Sequence, residues 1–329
     1  MGYVRPFPQT ARQRVRAATV STVLRIRHHA PEDAILLSCD PRSGSTWLSE
    51  LLYNARPSAV IWEPFHRDHV PQVRALDFAW RQYIPADADW PEAERLVRRI
   101  LSGGVINQWT GWASPLADFA RAERLIVKCC RANGFLPWLV RRVAFRKKPI
   151  HFLRHPFAIA ASQLRMGNFD TSGMDADLER GRYAGDLAES AAYIRGLRRP
   201  EEKIVAMWCR TQKPALTDPV TRTRVIRICY ETLTLSPQRE IARLYANWGE
   251  SVPDGTLSQI TQASRMTQDA SQLANPASQV GKWQQFFDDR QISRMARILR
   301  DFEIPIYDEN PLPCATPMIG GPNGDKTVH

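Results

Sequence analysis

The segment Asp40-Pro41-Arg42-Ser43-Gly44-Ser45-Thr46-Trp47 gathers residue types that can grip an anion. It follows a short apolar run, Ala34–Cys39, and precedes a helical pattern through Leu48, Leu51 and Leu52, so it reads as the corner between a strand and a helix. Backbone N–H groups at a helix start, with the helix dipole behind them, favour negative charge. Gly44 permits close backbone approach, Ser43, Ser45 and Thr46 add hydroxyl donors, and Arg42 adds a planar, permanently charged fork. Serine and glycine in this spacing suit an ordinary turn and helix cap equally well, so alone the segment leaves both readings open. No lysine precedes Ser45-Thr46 and the G-x-x-x-x-G-K-[ST] pattern is absent, which argues against a kinase or ATPase loop.

A second strand-to-helix corner is His151-Phe-Leu-Arg154-His-Pro156-Phe-Ala-Ile-Ala-Ala-Ser162. Arg154 stands at the strand end, Pro156 suits the first helical turn, and Ser162 lies about one and a half turns further on. An arginine and a serine so placed can reach one phosphate; an exposed arginine and a helix-interior serine fit the same spacing. Glu63 closes another apolar run, with His66 and His69 close behind, and Lys128 closes a third. They read either as chemistry beside the first corner or as a loop glutamate before proline and a snorkelling strand-end lysine.

The elements that must position these residues are strands at Ala34–Cys39, Ser58–Trp62, Arg124–Lys128, Lys148–Leu153 and Val225–Tyr230. Helical patterns separate them, one beginning at Trp90-Pro91-Glu92 and one running through Phe135, Leu139 and Val143. This alternation predicts an α/β, P-loop-like three-layer fold with a central, mainly parallel sheet flanked by helices. One domain is expected over residues 34–310, with a basic N-terminal helical arm at 1–33 and a flexible tail at 311–329. The polar stretch 167–200 is expected to form an acceptor-side insertion or lid.

The 329 residues, 43% hydrophobic and 24% charged, can bury a large core. A formal charge of +11 suits an anionic ligand. The basic residues spread along the whole chain without a zinc-finger or ribonucleoprotein motif, which speaks against nucleic acid as partner. No apolar run reaches membrane-spanning length and no secretory signal pattern is present, so a cytoplasmic location is expected. The arm carries Arg12, Arg14, Arg16, Arg25 and Arg27 with Val20, Val23 and Leu24 at helical spacing. It fits a surface helix packed on the body or peripheral contact with an anionic membrane. Six cysteines without C-x-x-C spacing read as free structural thiols, and no zinc or other metal is expected.

Together, Pro41-Arg-Ser-Gly-Ser-Thr-Trp47 and Arg154-His-Pro-x5-Ser162 resemble the 5'-phosphosulfate loop and the 3'-phosphate motif of the sulfotransferases that use 3'-phosphoadenosine-5'-phosphosulfate (PAPS). The resemblance continues through Trp62-Glu-Pro-Phe65, Val127-Lys128, Val225-x4-Tyr230-Glu-Thr-Leu233 and Gly281-Lys-Trp283, spanning about residues 34 to 305. In order and content it is closest to the carbohydrate sulfotransferase branch and its bacterial homologues. That branch commonly carries aspartate at the place of His155, arginine at Phe157 and aspartate at Thr232; these departures bear on the acceptor rather than the donor. Its Golgi members are anchored by an N-terminal membrane helix, which this sequence does not display.

The resemblance implies PAPS as donor, its 3',5'-bisphosphate (PAP) as product, and no metal. It assigns donor binding to Arg42, Ser43, Gly44, Ser45, Thr46, Trp47 (stacking on adenine), Arg154, Ser162 and Lys282. Arg42 would neutralise the departing phosphate, Lys128 would bridge the transferring sulfonate, and Glu63 would be the base, with His66 as its alternative. A carbohydrate, a glycolipid or a small-molecule alcohol would be the acceptor. The rival readings are a P-loop-type nucleotide kinase and a non-catalytic nucleotide-binding protein.

Overall fold

A computed structural model describes residues 10–167, 174–257 and 276–314. Five strands, β1 (Ile35–Ser38), β2 (Ser58–Trp62), β3 (Arg124–Cys129), β4 (Ile150–Leu153) and β5 (Ile226–Cys229), form one sheet in the order β2-β3-β1-β4-β5. Every pairing is parallel. The apolar runs of the sequence coincide with these strands, and β1, β3 and β4 are buried at every position, as parallel strands covered on both faces must be.

Alternate residues feed the two faces. Leu36, Ile61, Leu125 and Val127 pack with Leu96, Val97 and Ile100 of the helix Pro91–Leu101. Ile35, Leu37, Val60, Ile126 and Phe152 pack on the other side with Leu48, Leu51 and Leu52 of the helix Ser45–Ala55. A further cluster joins Leu153 and Phe157 to the helices Pro200–Thr217 and Asp289–Asp301. The result is the expected three-layer α/β fold.

The strand order decides where ligands can go. β1 lies between β3 and β4, so the chain leaves it toward one edge to make β2 and later crosses to the other side to make β4. At such a switch point the carboxyl ends of the strands open a crevice. Asp40, Glu63, Arg131, Arg154 and Tyr230 each follow the end of a different strand within two residues, so the sheet itself gathers them.

The basic arm forms the helix Ala11–Arg27, capped by Thr10 and buried at Val20 and Leu24. Arg16 donates to the carbonyls of Gly111 (2.9 Å) and Ser114 (2.5 Å) and Arg27 to that of Ala122 (2.8 Å), while Arg12, Arg14 and Arg25 are exposed. No helix among the described residues is long and apolar enough to cross a membrane. The described part of the 167–200 stretch is docked on the body: the Trp80 N–H donates to Asp177 Oδ1 (2.7 Å), and Arg210 donates to the Leu178 carbonyl (3.1 Å). Residues 168–173 of that stretch, 315–329 of the expected tail and 1–9 of the arm lie outside the described residues.

Candidate functional site

Between β1 and the helix Ser45–Ala55 the chain turns through two left-handed residues, Arg42 (φ 71°) and Gly44 (φ 86°). At Gly44 a Cβ would stand 2.7 Å from the Tyr230 ring, so the turn accepts glycine alone. No side chain caps the helix that follows. The second corner meets the first directly. Arg154 Nη1 donates to the Arg42 carbonyl at 2.9 Å, Arg42 Nε donates to Ser162 Oγ at 3.1 Å, and the Arg154 guanidinium lies 4.3 Å from the Tyr230 ring centroid. Partial burial and the neighbouring Arg154 lower the Arg42 pKa, the signature of like charges held side by side. Three buried polar atoms at this junction, Ser43 Oγ, Trp47 Nε1 and Arg154 Nε, have no hydrogen-bond partner among the described residues. Buried donors are normally paired, and an anion bound at this junction would supply partners.

Beside the cradle, the β2–β3 register sets Trp62 opposite Lys128, which brings Glu63 into a buried ionic cluster. Lys128 Nζ lies 3.0 Å from Glu63 Oε1; Glu63 Oε2 accepts from the Cys130 N–H and from Arg131 Nη1, both at 2.9 Å. Burial alone would raise the Glu63 pKa, but Lys128, Arg131 and the Cys130 amide outweigh it and hold the carboxyl below its usual range. Burial likewise opposes the charge on Lys128, yet the Cys130 sulfur and the Glu63 carboxylate hold its pKa above the ordinary lysine value. Each Glu63 oxygen therefore accepts at least one hydrogen bond, with Lys128 on Oε1 and the Cys130 N–H and Arg131 on Oε2.

His66 is buried against His69 (4.2 Å between ring centroids), Trp80 (4.5 Å) and Trp109 (4.9 Å). Burial, then Arg131 and His69, push its pKa down to about 2, so its ring is neutral at physiological pH. Trp80 also faces the Arg131 guanidinium at 4.4 Å. An aromatic wall thus runs from Glu63 to Asp177 of the 167–200 stretch. Lys282 sits in the turn whose Trp283 stacks on His155 (4.8 Å, 21°), beside the Arg154 corner.

Beneath the cradle, Asp40 is 1% exposed. Gln212 donates to its Oδ2, the Gln212 Oε1 lies 2.7 Å from His151 Nε2, and Arg81 Nη1 stands 3.5 Å from Asp40 Oδ1. Burial raises the Asp40 pKa to about 6 against the opposing pull of Arg81 and Gln212. The folded state then holds this proton more tightly than the unfolded chain does. Ionising Asp40 costs stability, a cost absent below the ordinary value of 3.8 and complete above about 6. Asp40→Asn removes the ionisation, so its stability relative to the natural protein is expected to rise by up to ~3 kcal/mol between about pH 4 and pH 7. Urea midpoints across that range check this; a difference that does not change with pH means that Asp40 ionises normally.

The structure brings together Arg42, Ser43, Gly44, Ser45, Thr46, Trp47, Arg154 and Ser162 at one junction, and Glu63, Lys128 and His66 at the neighbouring strand ends. Sequence reading gave no role to Arg131, Asp40 or Tyr230. Arg131 lies just past β3, and its position beyond a strand end was the available signal. The contact of Tyr230 with Gly44 crosses most of the chain and leaves no local mark.

Fold and site define a parallel α/β protein in which two arginine-bearing corners meet at the switch point of the sheet. No protein-family model and no curated protein matches the chain. Among solved structures it is similar to the sulfotransferase domain of the Synechococcus PCC 7002 olefin synthase (19% identity, covering 85% of this chain and 97% of that one, TM-score 0.47). It is also similar to the sulfotransferase domain of the curacin biosynthetic pathway (18%, 82% and 97%, TM-score 0.44) and to mouse sulfotransferase SULT7A1 complexed with PAP (14%, 89% of each chain, TM-score 0.42).

Proposed function

We propose that this chain is a sulfotransferase that moves the sulfuryl group of PAPS to an acceptor hydroxyl or amine and releases PAP. The observation that carries the reading is the joining of the two corners, Arg154 Nη1 to the Arg42 carbonyl at 2.9 Å and Arg42 Nε to Ser162 Oγ at 3.1 Å. Two permanently charged forks, with three buried polar atoms nearby that lack a partner among the described residues, suit a nucleoside carrying phosphate at two places. Arg42, Ser43, Gly44, Ser45 and Thr46 would hold its 5' end. Arg154 and Ser162, with Lys282 from the adjoining turn, would hold the 3'-phosphate, and Trp47 and Tyr230 offer rings to the base.

Bound PAPS supplies an activated sulfuryl group on a phosphate leaving group. The protein contributes position and charge, as in phosphoryl transfer. Arg42 and the loop amides stabilise negative charge as it grows on the phosphate. Lys128 would offer its charge to the sulfonate, and Glu63, whose Oε1 now holds Lys128, would take the acceptor proton. His66, neutral but of very low basicity, is the weaker alternative. The acceptor, a carbohydrate, glycolipid or other small-molecule alcohol, would lie along Trp80, Trp109 and His69.

Thermal unfolding with added 3',5'-ADP tests the donor site: at about 100 times its dissociation constant the ligand is expected to stabilise the fold by about 2.7 kcal/mol. No response to it, together with a magnesium-dependent response to ATP, favours the nucleotide kinase. Stabilisation without transfer from labelled PAPS to carbohydrate or alcohol acceptors favours a non-catalytic nucleotide-binding protein.

A further inference from the structure

The Glu231 carboxylate lies just past β5 and is 0% exposed. A buried carboxylate is tolerated where its oxygens are hydrogen-bonded, so its partners show what it is for. Oε1 accepts the His155 backbone N–H at 2.9 Å and Oε2 accepts the Tyr307 hydroxyl at 2.8 Å. His155 directly follows Arg154 and caps the helix Pro156–Arg165. Its Nδ1 accepts the Phe157 N–H (3.2 Å), which leaves the proton on Nε2 to be donated to the Asp308 carbonyl (3.0 Å). Residue 230, next to Glu231, presents the ring that lies under the Arg154 guanidinium and against Gly44. Two consecutive residues thus locate Arg154 at both ends, Glu231 through the backbone that follows it and Tyr230 through its guanidinium.

We infer that Glu231 is a positioning residue for the 3'-phosphate site, a buried acceptor that, braced by Tyr307, sets the angle at which the Arg154 corner meets the cradle. The inference rests on the reading of Arg154 as the 3'-phosphate ligand. It also gives the C-terminal segment around Tyr307 and Asp308 a part in donor binding, although neither residue needs to touch the nucleotide.

The test divides the dissociation constant for 5'-AMP by that for 3',5'-ADP, a ratio that isolates the 3'-phosphate from everything else that binds the nucleotide. Glu231→Leu fills the space but accepts nothing, and is expected to lower this ratio at least about tenfold with 5'-AMP affinity changed less than about threefold. Glu231→Gln still accepts from His155 and can donate to the Tyr307 oxygen, so it is expected to keep the ratio within about threefold. A folded Glu231→Leu with the natural ratio, or a Glu231→Gln that loses as much as Glu231→Leu, overturns the inference. Should Glu231→Leu fail to fold, Tyr307→Phe decides: the ratio is expected to fall about threefold, and an unchanged ratio counts against the proposal. If the natural protein itself does not distinguish the two nucleotides, it is the sulfotransferase reading that falls.

Discussion

Replacing Arg42 by alanine is expected to slow sulfuryl transfer by about 100- to 1000-fold, the usual cost of removing one preorganised donor aimed at developing charge. The fold is expected to survive. The Arg42 side chain is largely exposed and among the described residues donates to Ser162 Oγ, while the carbonyl that receives Arg154 belongs to the backbone and remains in the variant. The left-handed φ of 71° already burdens arginine, and alanine bears a similar strain there. The loss should fall on kcat more than on KM, because the charge that Arg42 answers grows as the phosphate departs. Arg42→Lys keeps the charge but not the fork, and an intermediate rate is expected. Steady-state transfer from labelled PAPS, beside thermal unfolding of the same preparations, checks the prediction. A loss below about tenfold would move the charge-bearing role away from this loop.

The legible and the hidden parts of this molecule divide along a physical line. Strands buried on both faces appear in sequence as continuous apolar runs, so β1 to β5 could be located within one or two residues and the parallel sheet inferred from the helices between them. The two arginine corners were legible because turn chemistry and helix starts are local. Long-range pairing is not local. That Trp62 sits opposite Lys128, and hence that Glu63 is clasped by Lys128 and Arg131, depends on strand register, which no short window contains. The approach of Cys39 and Cys130, with sulfurs 3.4 Å apart, follows from the β1–β3 register in the same way. Its place at a strand end and the family resemblance offered Glu63 as a base; the geometry adds that Lys128, Arg131 and the Cys130 amide already hold its oxygens.

Those contacts let a structural role of Glu63 be separated by experiment from its proposed catalytic one. Glu63→Ala leaves Lys128, 4% exposed, without its carboxylate and deprives Arg131 and the Cys130 amide of theirs. Breaking a buried pair from one side typically costs about 3–5 kcal/mol, since the remaining charge stays buried and uncompensated. Lowered stability of that size is expected in urea unfolding. If uncompensated charge is the cause, Glu63→Gln combined with Lys128→Met should return stability to within about 1 kcal/mol of the natural protein, because an apolar side chain of similar length needs no counter-ion. The catalytic role is read separately, from single-turnover transfer at saturating donor on the folded fraction of Glu63→Gln. General-base removal predicts a loss of about 100- to 10,000-fold there. Reduced stability with an undiminished rate would make Glu63 an anchor for Lys128 and Arg131 alone, and would pass the proton to one of the neighbouring histidines, His66 or the less buried His69.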